Sequence, residues 1–233
     1  DQSISGAGHS LAMTAACASM SPLANLYHTQ SGLEGIARLR RLDDSLADTS
    51  SLRSLSEELS ALQTHLLNTP SVNLLTISDP QNCEASTDQL RNAAHGLIAA
   101  RNPQPWSLSE SANGTHQIWA ANTQVNFCAK AYPTVSSGHP DAPTLSVLAA
   151  YLRNGFLHRS IREQGGAYGG GASHDGNVGA FRFFSYRDPR NLETLSDFDA
   201  SIAWMLSAEP DSLALEEAIL SVISSLDKPA SPS

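Results

Sequence analysis

The stretch LRNGFLHRSIREQGGAYGGGASHDGNVGAFRFFSYRDP, Leu152 to Pro189, decides the fold. A helix that begins near Thr144 runs into it, with Leu145, Leu148, Leu152 and Phe156 at spacings of three, four and four. The helix ends on the charged pair Arg162-Glu163. Gly165-Gly166 come next, then Tyr168, then Gly169-Gly170-Gly171, and a Phe-rich strand from Val178 to Tyr186. That order is hairpin-like, so the sheet is expected to be at least partly antiparallel. Asp188-Pro189 then turns the chain into a helix striped by Leu195, Phe198, Ile202 and Met205, and a last helix is expected over 212–226.

Working back toward the N-terminus, residues 9–18 favour helix through their Ala content, and Ser21-Pro22 restarts a segment to about Tyr27. Gly32 to Gly35 opens a second short helix, IARLRRLDD. A third, Ser51 to Leu67, places Leu52, Leu55, Leu59, Leu62 and Leu66 on one apolar stripe. Pro70 ends it, and Val72 to Ile77 reads as a short buried strand. Ser86 to Ala100 reads as helix, 102–115 as a loop, and His116 to Ala131 as a strand. In that strand Val125, Phe127, Ala129 and Ala131 alternate with Asn126, Cys128 and Lys130. Long helices interleaved with a few strands predict an α/β (α+β) two-layer sandwich, helices packed on a mostly antiparallel sheet, in a single domain spanning 1–233.

Composition narrows the function classes. The chain of 233 residues carries 14 Lys and Arg against 23 Asp and Glu, a formal net charge of −9. A nucleic-acid binder needs clustered cations to replace phosphate counterions, so no nucleic-acid partner is expected. No apolar run approaches the ~20 residues of a spanning helix, and no membrane partner is expected either. Asp1 to Ala7 is polar and lacks the basic and apolar zones of a secretory leader. Cys17, Cys83 and Cys128 are odd in number and lack CxxC spacing, which argues against a disulfide framework and for a reducing compartment, cytoplasm or organelle matrix. Each is expected to be a small buried hydrophobe.

The familiar catalytic patterns fail in turn. Eight histidines are scattered without HExxH or HxxEH, so no metal site is expected in this chain. His174-Asp175 reads as a solvated pair in a polar loop. No GxSxG elbow is present. Gly169 to Gly171 fit neither phosphate-binding pattern; they imply a backbone of positive φ or close approach by another chain. What remains is Arg162 and Tyr168. They could be a helix-terminal Arg favoured by the dipole and a Tyr packed on the sheet. Alternatively, Arg162 donates to a backbone carbonyl or carboxylate, and Tyr168 stabilises developing negative charge.

SPLA at 21–24, GLEGIARLRRL at 32–42, NGFLHRSIREQGGAYGGG at 154–171 and FRFFSYRDP at 181–189 carry a resemblance. Together they resemble the final domain of the presequence-protease branch of the pitrilysin/insulinase zinc metallopeptidases. The long motif is the specific one, and the likeness covers nearly the whole chain, about the last quarter of such an enzyme. The tail stops at KPASPS where family members continue, so a domain fragment is expected. The resemblance implies a clamshell of related α/β domains enclosing a chamber for unfolded peptides. Zinc and the general-base Glu would sit in the N-terminal domain of the same polypeptide, with no cofactor in this chain. Arg162 would hold substrate backbone, and Tyr168 would help stabilise the tetrahedral oxyanion. Gly165 and Gly166, counted with the substrate-binding set, would let the chain turn sharply enough to present both side chains. The isolated chain is expected to be inactive. A non-catalytic scaffold or substrate-holding subunit of the same superfamily is the alternative.

Overall fold

The computed structural model describes residues 2–67, 75–94, 116–207, 209 and 211–227. The chain divides into two compact units, Asp1–Ala37 with Leu108–Ser233, and Arg38–Ser107.

The first unit is built on a three-stranded antiparallel sheet of order β1-β3-β2, with β1 Ala129–Pro133, β2 Gly169–Asp175 and β3 Ala180–Tyr186. Strand side chains alternate between faces, so the register decides what each face buries. Ala172 pairs with Phe183, and Lys130 also lies opposite Phe183. This face meets α6 (Ala142–Leu152), a π-helical continuation (Arg153–Gln164, the π segment) and α7 (Leu192–Ser207). Leu152, Leu157, Ile161, Phe183 and Phe198 are buried there, with the Phe183 and Phe198 rings stacked 5.5 Å apart. Each such side chain contributes roughly 1.5–3 kcal/mol by leaving water. Lys130 and Tyr132 on β1 both bond Asp199 on α7, at 2.8 and 2.7 Å. These hydrogen bonds hold the Asp199 carboxyl below the usual carboxylate range.

The opposite face of the sheet is covered by α1 (Gln2–Cys17), which packs on β1 and β3 and is followed by α2 (Pro22–Gln30). Ser21 caps α2 by accepting the Ala24 N–H at 3.1 Å, with Pro22 in the first turn where its missing N–H costs nothing. Cys17, Ala24, Val178 and Ala180 form a second, smaller core here. The last helix, α8 (Ser212–Leu226), packs on α6 and is tied to it by the Asp211 N–H donating to the Tyr151 hydroxyl at 3.1 Å.

The second unit holds most of α3 (Leu33–Ser45) with α4 (Thr49–Leu67) and α5 (Cys83–Ala94). The predicted leucine stripe lies on α4, and Leu52, Leu59, Leu62 and Leu66 of it are exposed.

Several expectations are corrected. Residues 75–77 of the predicted strand 72–77 have no regular structure, and Leu75 and Ile77 are exposed; 72–74 lie outside the described residues. The described part of the predicted helix 86–100 lies within α5, Cys83–Ala94; its residues 95–100 and the expected loop 102–115 also lie outside the described residues. The predicted strand 116–131 shrinks to a bridge at Asn126 and to β1, because among the described residues the neighbouring strand is bonded only from Asn126 onward, with Cys128 accepting the Ser185 N–H at 2.8 Å between the two. Gly169 to Asp175 form a strand, not a loop. Within it His174 Nε2 lies 3.1 Å from the Val135 carbonyl and Asp175 pairs with Arg182 at 2.8 Å, so this is not a solvated pair. Cys17 and Cys128 are buried as expected, and Cys83 is exposed.

Candidate functional site

The π segment sets the geometry of the Arg162 region. Leu152, Leu157 and Ile161, all buried, recur at spacings of five and four. An α-helix would swing those positions apart; the wider i→i+5 winding brings them onto one side. The winding persists through the helix end. Gly166 N–H donates to the Arg162 carbonyl and Ala167 N–H to the Ile161 carbonyl, both at 3.1 Å. These nested bonds are each one residue wider than the Schellman pair that closes an α-helix. Gly166 takes φ of +79°, a conformation that side chains resist.

A buried polar network anchors this turn from below. The Asp188 side chain is 0% exposed and accepts the Thr194 hydroxyl at 2.8 Å and the Arg190 backbone N–H at 2.9 Å. The Arg190 guanidinium donates to the Ser160 carbonyl of the π segment at 3.2 Å and to Asp197 at 2.8 Å. It lies so close to Gly165 that a Cβ there would fall 2.0 Å from Nη2. Any side chain at 165 would therefore displace the guanidinium. Gly170 answers a similar need on β2, where a Cβ would fall 2.8 Å from Ile161 Cγ2.

Above the turn, Tyr168 leaves the helix end and enters β2. Its N–H donates to the Arg187 carbonyl at 3.3 Å, and its ring meets Tyr186 edge-on at 5.6 Å. The side chain is 67% exposed, so the phenol is presented and not buried. Arg162 is exposed as well. Both line one groove of about 1200 Å³, bounded by α6 with the π segment, by β2 and by the end of α8. Arg153, His158 and His9 line it too. Gly165 and Gly166 are not among the lining residues; their part is in the turn. Chemically, the groove offers a guanidinium donor and a phenolic donor to an oxygen-rich extended ligand.

Sequence reasoning missed Arg153, His158 and the Asp188–Arg190 network. The spacing of Leu152, Leu157 and Ile161 was the available signal for the π segment, but its mean exceeds the 3.6 period normally sought. Among the described residues no group of three or more His, Cys, Asp or Glu could hold a metal ion. The described residues do not fit a zinc site.

A family model described as the PreP C-terminal domain matches residues 116–233, just over half the chain. Similar proteins include one from Danio rerio, 32% identical over 99% of this chain and 24% of its own length. One from Kluyveromyces lactis is 32% identical over 98% of this chain and 24% of its own. One from Saccharomyces cerevisiae is 30% identical over 99% and 24%. All three bear the name "Presequence protease, mitochondrial". The chain spans about a quarter of the length of these relatives.

Proposed function

Since the chain belongs to the PreP C-terminal domain family, we propose that it supplies one wall of a peptidase active site within a longer polypeptide. The observation that carries this reading is that Arg162 and Tyr168 project into one open groove from a turn braced underneath. Arg162 donates to backbone carbonyls of an extended peptide and fixes its position. The Tyr168 hydroxyl donates to the oxygen that gains charge as the scissile carbonyl becomes tetrahedral. Gly165 and Gly166 set the turn that keeps the two donors on one surface. A zinc site, which the family resemblance implies, belongs to an N-terminal domain and is not built from these residues. Substrates are proposed to be unfolded peptides, and the relatives' names make the mitochondrion the proposed location.

The test is steady-state cleavage of an unfolded fluorogenic peptide by the full-length protein. Losing one transition-state donor costs about 10²–10³ in kcat, so Tyr168→Phe is expected to fall in that range. Arg162→Ala is expected to raise KM and lower kcat. Unchanged kinetics in both variants would sink the assigned roles.

A further inference from the structure

We propose that Arg153 reads an acidic side chain of the bound peptide, about three residues from the bond being cut. This rests on the peptidase reading of the same groove and adds a substrate preference to it. The charge distribution points there first. The chain as a whole has nine more acidic than basic side chains. Yet among the described residues no Asp or Glu lines the groove, while Arg153, Arg162, His9, His158 and His174 do. Glu163 stands near its rim, 3.4 Å from His158 Nδ1, without lining it.

The other cations of the unit bear on this. Lys130 pairs with Asp199, Arg182 with Asp175 and Arg190 with Asp197, while Arg187 lies over the Tyr186 ring. Among the described residues the Arg153 and Arg162 guanidiniums have neither a hydrogen bond nor an ion pair. Arg159, exposed outside the groove, has no partner among the described residues either, so it is the shared groove, and not the lack of a partner alone, that singles out Arg153 and Arg162. Two guanidiniums on one groove, without a carboxylate partner among the described residues, have the chemistry to bind a carboxylate.

Strand geometry gives the distance. The Arg153 stem passes Gly171, its Cγ 3.1 Å from where a Cβ would stand. Tyr168 precedes the first residue of β2, so three residue steps separate it from Gly171. At ~3.3 Å per residue, an extended peptide alongside β2 would place a side chain at Arg153 roughly 10 Å from the Tyr168 hydroxyl's neighbourhood. The outer edge of β2 has no strand partner among the described residues, which suits an extended occupant. The volume of about 1200 Å³ exceeds the ~300–1,000 Å³ of small-ligand pockets. The lining also continues past Arg153 to Pro143 and Gly176. A chain passing Arg153 therefore runs on, and what Arg153 meets is an internal Asp or Glu, not the chain's terminal carboxylate.

The experiment is fluorescence anisotropy of labelled, C-terminally amidated decapeptides on the full-length protein, with a metal chelator present so that no turnover intervenes. A single Glu is moved along an otherwise neutral peptide and compared with Gln at each position. At pH 8 and low salt, one Glu position is expected to bind about two- to fivefold tighter than Gln, the scale of a partly exposed ion pair. Arg153→Gln should abolish that difference, Arg153→Lys should keep most of it, and 0.5 M salt should shrink it. Equal binding of Glu and Gln peptides at every position overturns the proposal, as does a preference that survives Arg153→Gln. A preference found only for free-acid over amidated peptides, assigning the site to a chain end, overturns it too. Because no turnover is involved, the result is independent of whether Tyr168→Phe impairs cleavage, which tests the peptidase reading alone.

Discussion

Asp188→Asn should loosen the turn that carries Arg162 and Tyr168 while changing almost no volume. In the native protein one Asp188 oxygen accepts the Thr194 hydroxyl and the other the Arg190 backbone N–H. Arg190 Nε lies 4.0 Å from the same carboxylate, and Arg190 holds the Ser160 carbonyl. An Asn amide can keep one acceptor, but its NH₂ then faces a group that needs an acceptor, and the charge beside Arg190 is gone. Hydrogen bonds to charged groups are worth roughly 1.5–3 kcal/mol, and an orphaned buried donor costs a similar amount. Full burial leaves no solvent to soften either effect, so a loss of about 2–4 kcal/mol is expected. With a urea m-value of about 2–3 kcal/mol/M, the midpoint should drop by about 1 M at unchanged m. Trp204 reports the transition by fluorescence, because its ring stacks on Tyr151 at 5.8 Å within the same unit. Thr194→Val should cost less alone, and the double variant should lose less than the sum, with a coupling of about 1 kcal/mol. A midpoint within ~0.2 M of wild type for Asp188→Asn would refute this account of the turn.

Two further outcomes follow from burial. Cys83 is expected to react rapidly with a thiol reagent at pH 8, whereas Cys17 and Cys128 react only after unfolding; burial pushes the Cys17 thiol up to about 11 and raises Cys128 too. Rapid modification of all three in the native protein would contradict the packing described. Burial also lowers the pKa of His28. A base with a lowered folded pKa binds fewer protons when native, so stability falls as pH drops from 7.5 to 5.5. His28→Gln should flatten that dependence in urea midpoints, and an unaltered slope would count against a buried neutral imidazole.

The helices were legible where apolar stripes met a core. Leu195, Phe198, Ile202 and Met205 do pack on the main cluster, and α8 runs over the residues its pattern marks. The π segment was not legible, because the five-residue step from Leu152 to Leu157 matches neither helical nor strand period. Gly169 to Gly171 have low strand propensity. They form β2 because β3 supplies the register and because Ile161 needs the room at Gly170. Residues 116–124 erred the other way: the strand was carried back beyond the alternation of Val125 to Ala131, and a ladder requires a neighbour that those residues lack among the described ones. For the site, Arg162 and Tyr168 stood out through the motif around them. Arg153, nine residues earlier, becomes a neighbour only when α6, β2 and α8 close one groove.

The most direct measurement compares peptidase activity of the full-length protein with that of residues 1–233 alone, each with and without a zinc chelator. Chelator-sensitive cleavage by the full-length protein, and none by residues 1–233, is the predicted result and fits a chain that completes an active site shared with other domains. Absence of cleavage by a properly folded full-length protein under any metal condition would contradict it, leaving a substrate-holding scaffold in its place.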